Sequence, residues 1–421
     1  MIGRGKVDSI LKYDAVGFDM DHTFIRYKLR SFMKLVYDST SIYLVNFKLY
    51  PQDIFPINED DSKNKLRMYF RAVFDHKTGN MLKIGANNLI MRAYHGFRPL
   101  TREEIIHTYG KNPMIPDFEI LSCKHQDFTN LHEFYGVSQV PILSQIVHLK
   151  TLGQFQCLNE KSYYDIVQDI NDANNFNYGI HDIEKFSNRD YSGYFFPKFL
   201  SEPRNYIRKV SQKLLDKLEA LQKMKIKIFI ASNSFYSVAN IIMKEAIGPD
   251  WLKHFDFVIY NCKKPFFFRP EADKTMFTDL KGNEITGLDK FLLNNPQGKE
   301  KVLIGGNAGL INDYLFHHVR KEFKVLFFGD TIVSDCVYAF DKIHDKKWDV
   351  VLIMEELQEV ENGYPDKEYF NYYFYWGSAL YDKNIYSGVD KTIIFDFADN
   401  IAHRSFSVLD SEEALEFLSI N

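Results

Sequence analysis

Ala15-Val16-Gly17-Phe18-Asp19-Met20-Asp21-His22-Thr23 is an apolar run that ends in two carboxylates. A short continuous apolar stretch of this kind predicts a buried strand of a parallel sheet, here over residues 15–19. In open α/β sheets, ligands bind beyond the carboxyl ends of the strands. The run therefore delivers Asp19 and Asp21 to a place where chemistry is done. Two positions apart on extended chain, their side chains point the same way. Crowded like charges repel, and a divalent cation is the natural stabiliser of such a pair. Standing alone, the pentapeptide Asp19–Thr23 would more readily suit a solvated loop, so the rest of the chain has to decide.

The chain of 421 residues is long enough for one large domain with insertions or for two to three ordinary ones. Hydrophobic residues make up 45%, ample for a core, and aromatic residues 16%, which predicts well-filled layers and an aromatic-lined pocket. A net charge of −4 argues against nucleic acid or a membrane surface as the main partner. Cys123, Cys157, Cys262 and Cys336 form no C-x-x-C pair and no cluster with histidine. Neither a zinc site nor a disulfide framework is expected, and the scarcity of cysteine fits a reducing compartment. No signal-peptide pattern or membrane-length apolar run is evident, so the expected location is the cytoplasm.

Outward from the first strand, Phe32 to Phe47 predicts a helix and Ile57–Lys65 a charged loop. The runs Phe70–Phe74, Met81–Ile84 and Leu89–Ala93 are separated by turn-rich breaks, which predicts a three-stranded antiparallel meander. Thr101-Arg102-Glu103-Glu104 has the form of a capping box at the start of a short helix. Residues 115–200 read as an inserted, mainly helical cap. One helix there runs through Pro141–Val147 and another through Tyr163–Ile170, with Asn171–Asn175 as a breaker. Ile207, Val210, Leu214, Leu218 and Leu221 recur at helical spacing. Beyond them, strands at Ile226–Ala231, Phe257–Tyr260, Val325–Phe328 and Val350–Ile353 alternate with helical patterns, and late strand material is expected at Thr392–Phe395. That alternation predicts a parallel α/β sheet.

Four strand ends carry polar groups: Asp19 and Asp21, then Ser232 with Asn233, then Lys264, then Asp330 with Asp335. Singly, each has an ordinary explanation. Ser232 would cap the following helix, Lys264 would sit on the surface, and Gly329-Asp330 would be a turn. Their order, strand context and residue types agree with one another.

The set Asp19–Thr23, Ala231-Ser232-Asn233-Ser234, Lys264-Pro265 and Gly329–Asp335 resembles the haloacid dehalogenase-like phosphohydrolase superfamily. Within it, Gly17–Thr23, Gly79-Asn80-Met81-Leu82-Lys83, His95-Gly96, Lys264–Phe267, Leu352–Leu357 and Trp376-Gly377-Ser378 resemble the cytosolic purine 5′-nucleotidase family. The resemblance implies a Rossmann-like parallel core of residues 1–114 and 201–421, a β-meander extension, and the inserted helical cap over 115–200. It also implies hydrolysis of nucleotides or other small phosphate esters with Mg²⁺. Asp19 would be the nucleophile and Asp21 the general acid and base. Asp19, Asp330 and the backbone carbonyl of Asp21 would hold the metal. Ser232, Asn233 and Lys264 would bind the phosphoryl group, and Asp335 would orient either Lys264 or metal-bound water. In the cap, Phe134 stands near a base-stacking position, either as a base platform or as cap core. Gln168 stands where the family carries an arginine, Asn175 where it carries a histidine, and Asp172 matches an acidic position. An inserted cap suits a small phosphate ester better than a protein substrate. Homo-oligomer formation is left open, and an interaction protein on the same fold is the alternative to an enzyme.

Overall fold

The computed structural model describes residues 10–55, 71–85, 88–116, 125–132, 134–178, 193–294, 301–337, 339, 348–353, 381–384, 388–391, 406–409 and 418. The chain divides into two compact units. One comprises Met1–Lys28, Pro203–Glu355 and Ile401–Asn421; the other comprises Leu29–Glu202 and Glu356–Asn400. Strands are numbered β1–β16 in chain order among the described residues.

The first unit is built on a nine-stranded sheet of order β10-β9-β11-β8-β7-β1-β12-β13-β16. β1 (Ala15–Phe18) lies between β7 (Lys227–Ala231) and β12 (Val325–Gly329), parallel to both. β8 (Phe257–Tyr260) and β11 (Val302–Gly305) extend one side in parallel. β13 (Trp348–Ile353) and β16 (Phe406–Leu409) extend the other. β9 (Phe277–Thr278) and β10 (Glu284–Ile285) add an antiparallel hairpin at one edge. After β1 the chain builds outward on one side and then returns to the other, so a topological switch point lies beside β1. That is where such sheets bind ligands.

The four residues of β1 are all buried, as an apolar run inside a parallel sheet requires. Gly17 is the position that lets the aromatic layer close. A Cβ there would lie 2.3 Å from the Phe229 ring and 2.8 Å from the Phe327 ring. Phe229 stacks on Phe257 with centroids 5.2 Å apart, and Phe268 and Trp348 continue the layer against Phe327. Much of the aromatic content is thus core packing. Cys262 and Cys336 are buried free thiols and Cys157 is also free.

The second unit carries a five-stranded antiparallel sheet of order β5-β4-β3-β2-β6. β2 (Ala72–Asp75), β3 (Asn80–Ile84) and β4 (Ile90–His95) form the expected meander. β5 (Arg98–Pro99) adds to β4, and β6 (Phe128–Leu131) pairs with β2 from inside the stretch read as helical. Meander and inserted segment therefore share one sheet within a unit that begins at Leu29, whereas the sequence expectation separated them at residue 115. The helix Leu29–Lys48 buries Met33, Val36, Tyr37 and Leu44 at helical spacing. Thr101 caps the helix Arg102–Tyr109 with Glu104 completing the capping box. β14 (Tyr381–Asn384) and β15 (Gly388–Lys391) form a separate antiparallel pair.

Two helices differ from expectation. The helix Tyr163–Tyr178 runs straight through Asn171–Asn175. Ala173 and Asn177 are buried there, Asp172 pairs with Lys48, and the Asn177 side-chain oxygen accepts from the Tyr194 backbone N–H. Tertiary contacts override the weak local propensity. The next long helix begins at Gln212, capped by Ser211, because Ile207 is held in an antiparallel bridge with Tyr27. The loop Ile57–Lys65, the strand at Thr392–Phe395, Met354–Leu357 and Trp376–Ser378 lie outside the described residues. No helix among the described residues is long and apolar enough to cross a membrane.

Candidate active site

Four neighbouring strands, β8, β7, β1 and β12, deliver the candidate side chains from their carboxyl ends. Beyond β1 the chain folds back at once. Phe24 N–H donates to the Asp19 carbonyl and Ile25 N–H to that of Met20, while His22 takes a left-handed φ of 55°. Met20 is buried between the two aspartates.

Lys264, beyond β8, ends between two carboxylates. Its Nζ lies 2.8 Å from Asp19 Oδ1 and 2.5 Å from Asp335 Oδ1, and only 1% of its side chain is exposed. Burial works against the ammonium, but Asp19 and Asp335 outweigh it and hold Lys264 above the ordinary lysine range. Burial and the Asp19 charge push Asp335 upward while Lys264 opposes them. Asn233 fixes the backbone of Lys264 at both ends of the residue. Its Oδ1 accepts from Lys264 N–H at 2.6 Å, and its Nδ2 donates to the Lys264 carbonyl at 3.0 Å.

Asp335 reaches this position because residue 329 is a glycine. A Cβ on Gly329 would stand 2.2 Å from the Asp335 Cβ. The Asp335 carboxylate also accepts from Thr331 N–H at 3.1 Å. Thr23, the last residue of the opening motif, donates to Asp330 Oδ1 at 3.4 Å.

Asp21 is in different surroundings. Tyr27 Oη donates to its Oδ1, and Ser234 Oγ donates to its Oδ2 at 2.6 Å. Burial, and then the nearby Asp19 charge, raise its pKa to about 6, against the pull of those hydroxyls and of Lys264. A carboxyl so placed can hold and release a proton near neutral pH.

Ser232 is buried, and its Oγ accepts from Ser234 N–H at 3.1 Å. It does not cap the helix Tyr236–Ala246, whose N-cap is Phe235. The ordinary reading of Ser232 as a helix cap therefore does not hold. Its hydroxyl shapes the turn that aims Ser234 at Asp21.

Asp19, Asp330 and Asp335 each offer an oxygen, all within 4.8 Å of one another and all on buried residues. Three carboxylates against one ammonium leave an excess of negative charge, and hard oxygen donors suit a hard divalent cation. The residues present fit such an ion.

The structure thus joins Asp19, Asp21, Ser232, Asn233, Lys264, Asp330 and Asp335 in one connected group. The cap candidates belong to the second unit. Gln168 is exposed and donates to Asp172, and Asp172 pairs with Lys48 at 2.6 Å. Phe134 lies on the one-turn helix Phe134–Val137, and its side chain is outside the described set. Sequence reading gave Ser234 no role, although it lies in a quoted motif, and did not single out Tyr27. The repeated serine in Ser232-Asn233-Ser234 was a usable signal for the first. Nothing local marks Tyr27, six residues after Asp21.

The model of the 5′ nucleotidase family matches residues 9–370. The human 5′-nucleotidase domain-containing protein 1 is 26% identical over 358 residues, 83% of this chain and 73% of that protein. Its bovine counterpart is 26% identical over 365 residues, 85% of this chain and 76% of that protein. The human 5′-nucleotidase domain-containing protein 2 is 24% identical over 382 residues, 88% of this chain and 66% of that protein.

Proposed function

The chain belongs to the 5′ nucleotidase family, and from that premise we propose a Mg²⁺-dependent phosphomonoesterase of the haloacid dehalogenase type. Its substrates are nucleoside 5′-monophosphates, and it works through an aspartyl-phosphate on Asp19. The observation that carries the reading is the unlike setting of two carboxylates two residues apart. Asp19 lies against the Lys264 ammonium, as a nucleophile needs. Asp21 has a pKa of about 6, as an acid that later serves as a base needs.

An Asp19 oxygen attacks phosphorus and the bond to the leaving oxygen breaks. Asp21 gives its proton to that oxygen. Water then attacks the acyl phosphate, Asp21 takes back a proton, and the bond from Asp19 to phosphorus breaks. Lys264 places positive charge beside the phosphoryl group, and Asn233 keeps the Lys264 backbone in register. Ser232 and Asn233 line the turn that receives phosphoryl oxygens. Asp19, Asp330 and the Asp21 carbonyl would hold Mg²⁺, with Asp335 next to them. When bound, the ion would neutralise charge between the carboxylate and the phosphate. Phe134, Gln168 and Asp172 are assigned to leaving-group recognition, with Asp172 holding the Gln168 amide and leaving its carbonyl oxygen to accept.

The test is phosphate release from nucleoside 5′-monophosphates by purified protein. Release that needs Mg²⁺ and vanishes in Asp19→Asn is the expected result. No release from any nucleotide, or undiminished release in excess chelator, overturns the reading.

A further inference from the structure

The Asp21 carboxylate accepts a hydroxyl hydrogen bond on each oxygen, from Tyr27 and from Ser234. The terminal torsion of an aspartate is broad, so a carboxylate bound at one oxygen can still rotate. Two donors at opposite oxygens fix its plane. Each oxygen keeps a second lone pair, so the acid proton has a place that neither hydroxyl occupies.

Tyr27 is itself held on every side. It forms an antiparallel bridge with Ile207. Lys28 N–H donates to the Tyr206 carbonyl at 2.7 Å, and Arg208 N–H to that of Arg26 at 2.9 Å. Arg208 Nε donates to the Tyr27 carbonyl at 3.0 Å. Tyr27 is 3% exposed, and its ring packs on His22 with centroids 4.8 Å apart. A tyrosine so anchored is a rigid post, and its hydroxyl ends on the carboxylate assigned to proton transfer. A core tyrosine with no such duty would pack equally well as phenylalanine.

We propose that Tyr27 is a positioning residue for the proton transfer to the leaving group, acting by fixing the plane of the Asp21 carboxylate from the side opposite Ser234. The inference rests on the proposed phosphomonoesterase reading, and specifically on Asp21 as the acid. Proton transfer is sensitive to geometry. A misplacement of about an ångström costs up to about a hundredfold. The cost falls on substrates whose leaving oxygen needs the proton. An alkoxide leaving from a nucleotide needs it. A nitrophenolate leaves without it.

The experiment compares kcat/KM of wild type and Tyr27→Phe on a nucleoside 5′-monophosphate and on p-nitrophenyl phosphate, with Mg²⁺ present. This ratio reports steps up to departure of the leaving group, before water attacks the phosphoenzyme. Phenylalanine keeps the ring against His22, and a thermal melt checks that the fold is kept. The expected result is a loss of about tenfold or more on the nucleotide, with a loss at least fivefold smaller on the aryl ester. Equal losses on both substrates, or no loss on the nucleotide, overturn the role of Tyr27 while the phosphatase reading stands. Absence of hydrolysis of either substrate by wild type overturns the phosphatase reading and this inference with it.

Discussion

Replacing Lys264 by methionine removes the ammonium that opposes the Asp19 and Asp335 carboxylates at contact distance. Its Nζ stands 2.8 Å from one and 2.5 Å from the other, with 1% of its side chain exposed. Methionine keeps most of the stem and so leaves little cavity. The cost is therefore electrostatic. Breaking a buried pair by removing one partner costs about 3–5 kcal/mol, because the remaining charge is left uncompensated. Urea unfolding in metal-free buffer should show a loss in that range. The deficit should have a defined pH dependence. Asp335 is already raised by burial, and without the ammonium it rises further. A folded-state carboxyl raised above its unfolded value binds protons that the unfolded chain releases. Stability of the variant relative to wild type therefore recovers as pH falls from 8, until Asp335 of the wild type takes up its own proton. Adding Asp335→Asn to the variant should recover part of the loss, as expected for residues in one charged network. A loss under about 1 kcal/mol, or a deficit that grows on acidification, would refute the electrostatic account of this triad.

Asp330→Ala should raise the Mg²⁺ concentration needed for half-maximal activity strongly, as titrated by phosphate release, because it removes one of three converging oxygens. Gly329→Ala should cost about 1–3 kcal/mol in urea unfolding and most of the activity, since the new Cβ would lie 2.2 Å from that of Asp335. His132 is buried beside Arg71, and burial first, then that guanidinium, lower its pKa to about 3. The unfolded chain therefore binds the proton first as pH falls below about 6.5, and stability drops by about 2 kcal/mol between pH 7 and pH 5 from this residue. A His132→Asn variant should lose that part of the acid sensitivity in a melting series. Phe134→Ala should raise KM for nucleotides and change little for p-nitrophenyl phosphate; equal effects on both would assign Phe134 to the core of its unit.

The strand-end cluster was legible because it is written in short contiguous pieces. Asp19, Ser232, Lys264 and Asp330 each follow an apolar run, and the structure sets those four runs side by side. The capping box at Thr101 and Glu104 was equally local. What depended on distant partners was not legible. The helix through Asn171–Asn175 survives because Lys48 and Tyr194 meet it. β6 finds its strand identity by pairing with β2, more than fifty residues earlier in the chain. Ile207 has helical spacing to Val210 and Leu214 but is claimed by the bridge to Tyr27. The same bridge explains why Tyr27 escaped notice. Its contact with Asp21 comes from a segment far away in sequence that fixes where its backbone lies. Ser232 shows the converse, since the serine is where it was expected while its hydroxyl serves a turn and not a helix end.

The central claim is that Asp19 becomes phosphorylated during turnover. The most direct test is to quench wild-type protein during hydrolysis of a nucleoside 5′-monophosphate with Mg²⁺, reduce acyl phosphates with borohydride, and read the peptide bearing residue 19 by mass spectrometry. The predicted result is reduction at Asp19, absent without substrate and absent in Asp19→Asn. Rapid hydrolysis with no reduction at Asp19, or with the mark on another carboxylate, would contradict the account.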